Sequence, residues 1–488
     1  MFERVQQLEQ QVLEALPKGL FIGGEWVQTD NLIPVENPAK GEAFAEVADA
    51  TPEQAMQALD AAAEAQAGWA ATKPRDRAEL LRRVFDMINQ RRELFAALMT
   101  MEMGKTFNEA LGEVAYGNEY VRWFSEQACR IEGYNSIAPS SGRRIHTEKV
   151  PVGPVLAITP WNFPLAMATR KIAPALAAGC TVVCKPAKLT PLTMLLFAQV
   201  LQEAGLPAGV VNIITTNRSG ATTGPLITDP RMRKITFTGS TEVGIGLLKQ
   251  AADRVLRSSM ELGGNAPLVV LPDADLDVAV QGAMDAKMRN LGESCIASNR
   301  LIVHESIADE FTKRFSDAMA AQQVGYGLEP DVSVGPLVES AQREKVLELV
   351  QDAVDKGGKV TTGGNALDRP GYFMQPTVIA DIQPGTRILQ EEIFGPFAPI
   401  IKYSTEQEAI DIANDTEFGL AGYVFSENLG SAMRVARQIE TGMIGINAGV
   451  ISDAAAPFGG VKMSGLGREG SQLGIEEYLE TKYYSLPF

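Results

Sequence analysis

From residue 151 onward, short apolar segments alternate with segments of helical periodicity, and this alternation restricts the possible fold more than any other feature. Short apolar runs flanked by helices are typical of parallel strands, because both faces of such strands are covered. The pattern predicts an α/β protein built from parallel βαβ units. We expect strands over 155–159, 181–185, 210–214, 234–238, 266–271 and 299–303, and helices over 165–178, 191–204, 241–252, 275–289 and 306–321.

The length of 488 residues exceeds what one core supports and predicts two or three domains. Before the α/β region, helical periodicity predicts helices over 53–70 and 75–103. The polar segment 129–150, with a Ser-Ser-Gly turn signal, is typical of a hairpin. Residues 330–376 are punctuated by Gly and Pro, and we interpret them as surface structure.

The charge balance narrows the possible partners. Acidic residues outnumber basic ones by 60 to 44, and the net charge of −16 disfavours nucleic acid and anionic membranes. No apolar run reaches the roughly 18 residues of a membrane span, and the first residues are polar rather than signal-like. We therefore expect a cytoplasmic protein without nucleic-acid or membrane partners.

The cysteines and histidines are few. The four cysteines form no CxxC pair, so neither a disulfide framework nor a zinc cluster is indicated, and a reducing compartment is favoured. Two histidines argue against a His-based metal site and a Ser-His-Asp triad. We expect no metal site.

Cys295 and Glu261 are the first candidates for catalysis. A deprotonated thiol is a strong nucleophile, and a carboxylate beside the flexible Gly263-Gly264 pair can act as a base or activate water. A lone cysteine is more commonly a small buried apolar residue. Only the surrounding motifs make the catalytic interpretation of Cys295 the better one.

Several motifs follow predicted strands, where ligands bind in open parallel sheets. The Gly239-Ser240 turn opens a helix and can hold a pyrophosphate, although such a turn is also a common N-cap. Asn162, between two prolines, offers an amide that can stabilise an oxyanion, or it simply belongs to a rigid turn. Lys185 and Lys188 suit ribose hydroxyls or a phosphate, or form a surface lysine pair. Glu392 and Phe394 precede a Gly-Pro turn where a planar ring or its ribose could rest.

Together these motifs, with 21–26 and 37–39, closely resemble the aldehyde dehydrogenase superfamily over nearly the whole chain. The resemblance implies Cys295 as nucleophile, Glu261 as general base, and Asn162 with the Cys295 N–H as oxyanion hole. It also implies NAD or NADP as cofactor. The residues that it implies for cofactor binding are Trp161, Asn162, Lys185, Pro186, Ala187, Lys188, Gly239, Ser240, Leu262, Glu392 and Phe394.

The same resemblance implies a division of the chain into domains. A Rossmann-type NAD(P)-binding domain would comprise 1–128 and 151–262, and a second α/β catalytic domain 263–465. A small β oligomerisation element would comprise 129–150 and 466–488, so that a homodimer or homotetramer is expected.

Within the superfamily the chain is most similar to succinate semialdehyde dehydrogenases. The resemblance implies that Arg170, Arg289 and Ser452 hold the distal carboxylate of a small anionic aldehyde, and two guanidiniums and a hydroxyl suit that task. The alternative is that the arginines pair with acids of the fold. The small residues 454–456 leave room for another anionic aldehyde, such as sulfolactaldehyde, glutarate semialdehyde or a phosphonate aldehyde.

Three positions depart from the usual pattern of these relatives. Ala297 stands where many have a second cysteine, which argues against a disulfide switch. Glu293 stands where Gln is common, and a carboxylate facing Cys295 would raise the thiol pKa, so we expect it to point away. Lys188 stands where NAD-preferring relatives often carry Glu, so we expect NADP to be accepted.

Two other classes of function compete. A thiol acyltransferase or hydrolase could use Cys295 and Glu261 without hydride transfer, but it would lack the cofactor motifs. A non-catalytic relative would lose Cys295, Glu261 or Asn162, and all three are present. Retention of Glu261 favours a non-acylating dehydrogenase.

Overall fold

The structure, a computed structural model, describes residues 2–487. The helices in this part of the chain are α1 Phe2–Ala15, α2 Pro52–Ala71, α3 Pro74–Gln90, α4 Arg92–Met103, α5 Phe107–Gln127, α6 Ala166–Ala178, α7 Leu192–Glu203, α8 Ser219–Thr228, α9 Thr241–Ala252, α10 Leu276–Met288, α11 Glu305–Ala320, α12 Ser340–Asp355, α13 Glu406–Asn414, α14 Leu429–Ala436 and α15 Leu473–Glu476. Short 3-10 turns cover Arg289–Gly292 and Arg387–Leu389.

The strands are β1 Leu20–Ile22, β2 Glu25–Val27, β3 Leu32–Asn37, β4 Glu42–Ala48, β5 Asn135–Ile137, β6 Arg144–Pro151, β7 Val155–Ile158, β8 Val182–Lys185, β9 Val211–Ile213, β10 Lys234–Thr238, β11 Arg257–Glu261, β12 Ala266–Val270, β13 Ser298–His304, β14 Lys359–Thr362, β15 Thr377–Ala380, β16 Phe397–Tyr403, β17 Phe418–Gly419, β18 Ala421–Phe425, β19 Met443–Ile446, β20 Val461–Lys462, β21 Gly465–Leu466 and β22 Leu479–Leu486.

The first large sheet has eight strands in the order β2-β1-β9-β8-β7-β10-β11-β21. The five central strands, β7 to β11, are parallel to one another, and the residues of β7, β8, β9 and β10 are all buried. The chain proceeds outward from β7 to β8 and β9, then resumes on the other side of β7 with β10. A switch point therefore lies between β7 and β10, which is where open α/β sheets bind ligands.

The second large sheet has seven strands in the order β14-β15-β16-β13-β12-β18-β19, and all its pairs except β14 with β15 are parallel. Separate apolar clusters contain alternate residues of its inner strand β12, for example Leu268 in one and Val269 in the other. The sheet is therefore packed on both faces, as the near-continuous apolar strand sequences predicted.

The third sheet is small and antiparallel. β6 pairs with β5 on one side and along its full length with β22 on the other. Ile137 and Tyr483 are exposed on this sheet, with 64% and 57% of their surfaces accessible. The hairpin predicted over 129–150 is confirmed.

Most predicted elements are confirmed, with three differences. The helix expected over 75–103 is broken at Arg91, whose φ of −107° and ψ of 16° separate α3 from α4. The interpretation of 330–376 as surface structure was wrong for α12, which buries Val346, Leu349, Val350 and Ala353. The 21-residue helix α5 was not predicted.

Helices α5 and α6 are held together in a way that matters for the site. Glu113 of α5 accepts hydrogen bonds from the N–H groups of Leu165 (2.9 Å) and Ala166 (3.2 Å), the first groups of α6. A carboxylate at a helix N-terminus satisfies free donors and complements the helix dipole. A side chain at Gly117 would lie 3.0 Å from Cα of Ala166, so the helices approach closely.

Within residues 2–487, none of the helices combines the length and the apolar character that a bilayer crossing requires.

Candidate active site

A cleft of about 680 Å³ opens at the carboxyl ends of β7, β8 and β10, at the switch point of the eight-stranded sheet. Ser240 caps the N-terminus of α9 beside it, with its Oγ accepting the Val243 N–H at 3.4 Å. The predicted cofactor residues that line this cleft are Trp161, Lys185, Ala187, Lys188, Gly239 and Ser240. Pro186 does not line it.

The two lysines of the cleft fit an anionic, hydroxyl-rich ligand. Lys185 is 8% exposed, and burial, with a contribution from the Lys188 charge, lowers its pKa to about 8. Neither ammonium forms a hydrogen bond or an ion pair with any described residue, and for Lys185 this contrasts with most buried cations. Their donors are free for phosphate or ribose oxygens, which is the chemistry of a dinucleotide.

A second cavity of about 210 Å³ adjoins the cleft and shares Pro160, Trp161 and Ser240 with it. It brings together Cys295 and further predicted residues from distant parts of the chain. These are Asn162, Leu262, Glu392 and Phe394. A reactant bound here would lie between the cleft and the thiol.

Cys295 differs from the other cysteines in its access to this cavity. It is partly exposed, and desolvation raises the pKa of its thiol to about 12, while the Arg170 charge acts in the opposite direction. Cys180 and Cys184 are fully buried, and Cys129 is exposed but lines neither cavity. A neutral thiol at rest needs a base or a neighbouring cation before it can attack.

Glu261 is the last residue of β11, in register with Thr238 of β10. It is 3% exposed, and its Oε2 has no hydrogen-bond partner within residues 2–487. Burial raises its pKa well above the usual range, and the nearby Glu469 carboxylate raises it further. Such a carboxyl is set to take up a proton, which suits a general base.

Asn162 follows β7 and is 4% exposed. Its Nδ2 donates to the backbone carbonyl of Glu293 at 3.1 Å, and its Oδ1 accepts the Phe163 N–H at 3.1 Å. The amide carries two hydrogens, and only one is bound within the described residues. The other is available to an oxyanion in the cavity that Asn162 shares with Cys295.

The far wall of the small cavity contains two residues that the sequence analysis missed. Gln342 and Lys345 lie on α12 and donate to the backbone carbonyls of Phe394 (2.7 Å) and Glu392 (2.9 Å). Phe394 meets Trp161 edge to face with ring centroids 5.3 Å apart. Desolvation raises the pKa of Glu392 to about 7.

Arg289 and Ser452, both predicted to bind an anion, are neighbours. Nη1 of Arg289 lies 3.4 Å from Oγ of Ser452. The guanidinium lies over the rings of Tyr116 and Phe163, with 5.3 Å to each centroid. Both residues remain partly exposed, so the pair can receive a ligand.

Arg170 is fully buried on α6, and the structure gives it a partner of the fold. Its Nε forms an ion pair with Glu469, which also binds Lys171. The guanidinium stacks on Phe458 at 4.2 Å, while Nη1 and Nη2 have no hydrogen-bond partner in the described chain. The pairing of Arg170 with an acid of the fold is therefore what the structure shows. Anion binding through the buried, unpaired edge with Nη1 and Nη2 stays a prediction.

Tyr116 was missed by the sequence analysis, although a signal was present. Glu109, Glu113, Tyr116 and Tyr120 recur every three or four residues and mark one polar face of α5. Tyr116 and Tyr120 share a hydrogen bond of 2.9 Å between their hydroxyls. Desolvation lowers the pKa of Arg170, but the Glu469 charge, with smaller contributions from Tyr116 and Tyr120, raises it overall. This face of α5 therefore adjoins both candidate arginines.

Comparison with known proteins gives one family. The sequence profile described as "Aldehyde dehydrogenase family" matches residues 26–484. A succinate-semialdehyde dehydrogenase of Paenarthrobacter nicotinovorans is 57% identical, over 91% of this chain and 98% of that protein. A glutarate-semialdehyde dehydrogenase of Pseudomonas aeruginosa is 46% identical, over 96% of this chain and 97% of that protein. The crystal structure of an NADP-dependent enzyme of Escherichia coli superposes with a TM-score of 0.96 at 43% identity, over 98% of this chain and 99% of that one.

Proposed function

The chain belongs to the aldehyde dehydrogenase family, and from this premise we propose that it oxidises succinate semialdehyde to succinate. The observation that carries the proposal is the convergence of Cys295 and Asn162 in one cavity beside the switch-point cleft. The paired Arg289 and Ser452 supply the preference for an anionic substrate.

The protein is an NAD(P)-dependent oxidoreductase, and NAD or NADP supplies the hydride acceptor when bound. The free donors of Lys185 and Lys188 suit the ribose and phosphate oxygens of such a dinucleotide. We propose that NADP is preferred, because Lys188 is an exposed cation without an ion-pair partner among the described residues. Glu392, Phe394 and Trp161 would hold the nicotinamide end near Cys295.

The first half of the proposed reaction takes place at the sulfur of Cys295. The Cys295 thiol gives up its proton to water, the thiolate attacks the aldehyde carbon, and the carbonyl oxygen becomes the alkoxide of a thiohemiacetal. Asn162 Nδ2 and the Cys295 N–H donate hydrogen bonds to this oxygen, and such a donor contributes about 3–4 kcal/mol to the transition state. Departure of the hydride from the same carbon leaves a thioester on Cys295.

The second half regenerates the thiol. Glu261 takes a proton from a water molecule, the resulting hydroxide adds to the thioester carbonyl, and the acid leaves while the sulfur regains a proton. The raised pKa of Glu261 favours proton uptake from water. This step distinguishes the proposal from an acyltransferase, in which another nucleophile would take the acyl group.

The substrate's distal carboxylate would lie at Arg289 and Ser452, with the free edge of Arg170 as a further donor. Charge-assisted hydrogen bonds typically contribute about 1.5–3 kcal/mol each, which is enough to separate an anionic aldehyde from a neutral one. A dehydrogenase for glutarate semialdehyde is the second candidate, because a relative of that description is 46% identical.

Kinetic comparison of four aldehydes by absorbance at 340 nm tests the proposal. We expect succinic semialdehyde to have the highest kcat/KM, above glutaric semialdehyde and sulfolactaldehyde, and to exceed butanal by at least about 100-fold. A higher kcat/KM for another anionic aldehyde would identify that aldehyde as the substrate, and the proposed anion site would still stand. Equal values for butanal and the anionic aldehydes would overturn the anion site.

The proposal extends to assembly and location. We propose that the NAD(P)-binding domain (1–128 and 151–262), the catalytic domain (263–465) and the element formed by 129–150 and 466–488 are distinct units. The exposed apolar residues of β5 and β22 support a homodimer or homotetramer through that element. Free thiols support a reducing compartment such as the cytoplasm.

A further inference from the structure

The turn that precedes the nucleophile has an unusual backbone. Asn290 (φ 56°, ψ 40°) and Leu291 (φ 59°, ψ 17°) are consecutive left-handed residues, and neither is glycine. Such conformations cost roughly 1–3 kcal/mol each and persist only where the surroundings hold them. Both residues are buried.

The surroundings hold the turn through Asn290. Its backbone N–H donates to Oε1 of Glu109 at 2.7 Å. Its side-chain amide donates twice, to the backbone carbonyl of Asn162 at 3.0 Å and to that of Glu293 at 2.9 Å. One side chain thus joins the segment that carries the oxyanion donor to the segment that carries Cys295.

Two features show how closely this network fixes Asn162. The Glu293 carbonyl accepts both from Asn290 and from the amide of Asn162 itself. The Asn162 carbonyl accepts from Asn290 and from the buried ammonium of Lys105, at 2.8 Å. Hydrogen bonds to the backbone carbonyl of Asn162 and from its side chain therefore fix the orientation of its amide.

We propose that Asn290 is a positioning residue that sets the Asn162 amide at the oxyanion site, and this proposal rests on the oxyanion role proposed for Asn162. Asn290 acts through Asn162 and does not touch the substrate. Asparagine also tolerates the left-handed conformation, so a purely backbone role is the competing explanation.

Two substitutions separate these explanations. Asn290→Gly keeps the left-handed backbone but removes both amide hydrogen bonds, whereas Asn290→Ala removes them and adds backbone strain. If the amide is what matters, the glycine variant loses activity although its fold is kept. If only the backbone matters, the glycine variant keeps full activity and the alanine variant does not.

The decisive experiment is a double-mutant cycle of Asn290→Gly and Asn162→Ala, read as single-turnover NADPH formation. We expect Asn290→Gly to slow hydride transfer about 10- to 100-fold in the wild-type background and less than threefold in the Asn162→Ala background. The loss should be equal for succinic semialdehyde and butanal, with KM changed less than threefold. Additive losses in the cycle would overturn the proposal.

A second readout excludes a general collapse of the loop. Iodoacetamide alkylates a thiolate by displacement and forms no oxyanion, so the alkylation rate of Cys295, followed by peptide mass spectrometry, should be unchanged in Asn290→Gly. Alkylation that slows in proportion to hydride transfer would overturn the positioning role. A wild-type rate of hydride transfer in Asn162→Ala alone would instead refute the proposed oxyanion role. Equal kcat/KM values of the wild-type enzyme for succinic semialdehyde and butanal would refute only the proposed substrate.

Discussion

Nη1 of Arg289 lies 3.4 Å from Oγ of Ser452, although the two residues are separated by 162 other positions in the chain. The guanidinium also packs over the rings of Tyr116 and Phe163. Arg289 therefore has few orientations to lose when an anion binds, and a pre-organised side chain gains affinity by avoiding that entropy cost.

Arg289→Ala should lower kcat/KM for succinic semialdehyde by about 100-fold, because it removes a charged donor, and Ser452→Ala by about 3- to 10-fold, because it removes a neutral one. Initial rates at 340 nm with both variants measure the losses. Butanal is the matched control and should lose less than threefold. A similar loss for butanal would mean that the pair supports the fold and not the anion.

Lys188→Ala should lower kcat/KM for NADP+ by about 5- to 10-fold and leave the value for NAD+ within twofold, since only the former has a 2′-phosphate for the ammonium to bind. Lys249→Ala is the matched control, because Lys249 of α9 is also an exposed lysine but does not line the cleft. A wild-type preference for NAD+, or a kcat/KM for NADP+ that Lys188→Ala leaves unchanged, would contradict the assignment.

Glu261→Gln should preserve the first turnover and slow the steady state by about 10²- to 10⁴-fold, because the proposed base acts on thioester hydrolysis. Rapid mixing should then show a burst of about one NADPH per active site. Since the pKa of Glu261 is raised, its carboxylate fraction grows as pH rises, so the wild-type steady-state rate should increase with pH while the variant stays flat. A variant with neither burst nor turnover would place Glu261 in the activation of Cys295 instead.

The parts of the site that follow strands were predictable from sequence. Lys185 is the last residue of β8, Asn162 and Ser240 follow shortly after β7 and β10, and the carboxyl ends of parallel strands meet at one edge of a sheet. The position of the cleft therefore followed from the fold class. The roles of the residues rested on the family resemblance and remain proposals.

The remaining parts depend on packing between distant segments. Gln342 and Lys345 reach the cavity because α12 packs its apolar face, Val346 and Leu349 included, against the second sheet, and no local signal in α12 points to Cys295. The pairing of Arg170 with Glu469 joins residues 299 positions apart. Sequence reasoning could name both outcomes for this arginine but could not find its partner.

Glu293 gives a prediction about stability that does not involve catalysis. Glu293 is fully buried, its Oε1 accepts the Val338 N–H at 3.2 Å, and its Oε2 has no hydrogen-bond partner within 2–487. Burial raises the pKa of this carboxyl well above its usual range. The carboxyl therefore binds the backbone of Val338, and burial favours its protonated form over the charged one. Its expected orientation away from Cys295 stays a prediction.

Because the folded-state pKa is raised, the proton on Glu293 stabilises the fold fully below the unfolded pKa of about 4.3, and this contribution is lost as pH rises toward the folded value. Glu293→Gln keeps the acceptor for Val338 and cannot ionise. Its Tm should match wild type at pH 5 and exceed it increasingly toward pH 8, by at least about 2 °C, since 1 kcal/mol corresponds to roughly 2–4 °C in a domain of this size. Differential scanning fluorimetry at a fixed scan rate measures the difference.

Glu119→Gln, the same substitution at an exposed glutamate, is the control and should show no such trend. A Tm difference for Glu293→Gln that stays constant or shrinks between pH 5 and pH 8 would show that Glu293 is ionised in the folded protein.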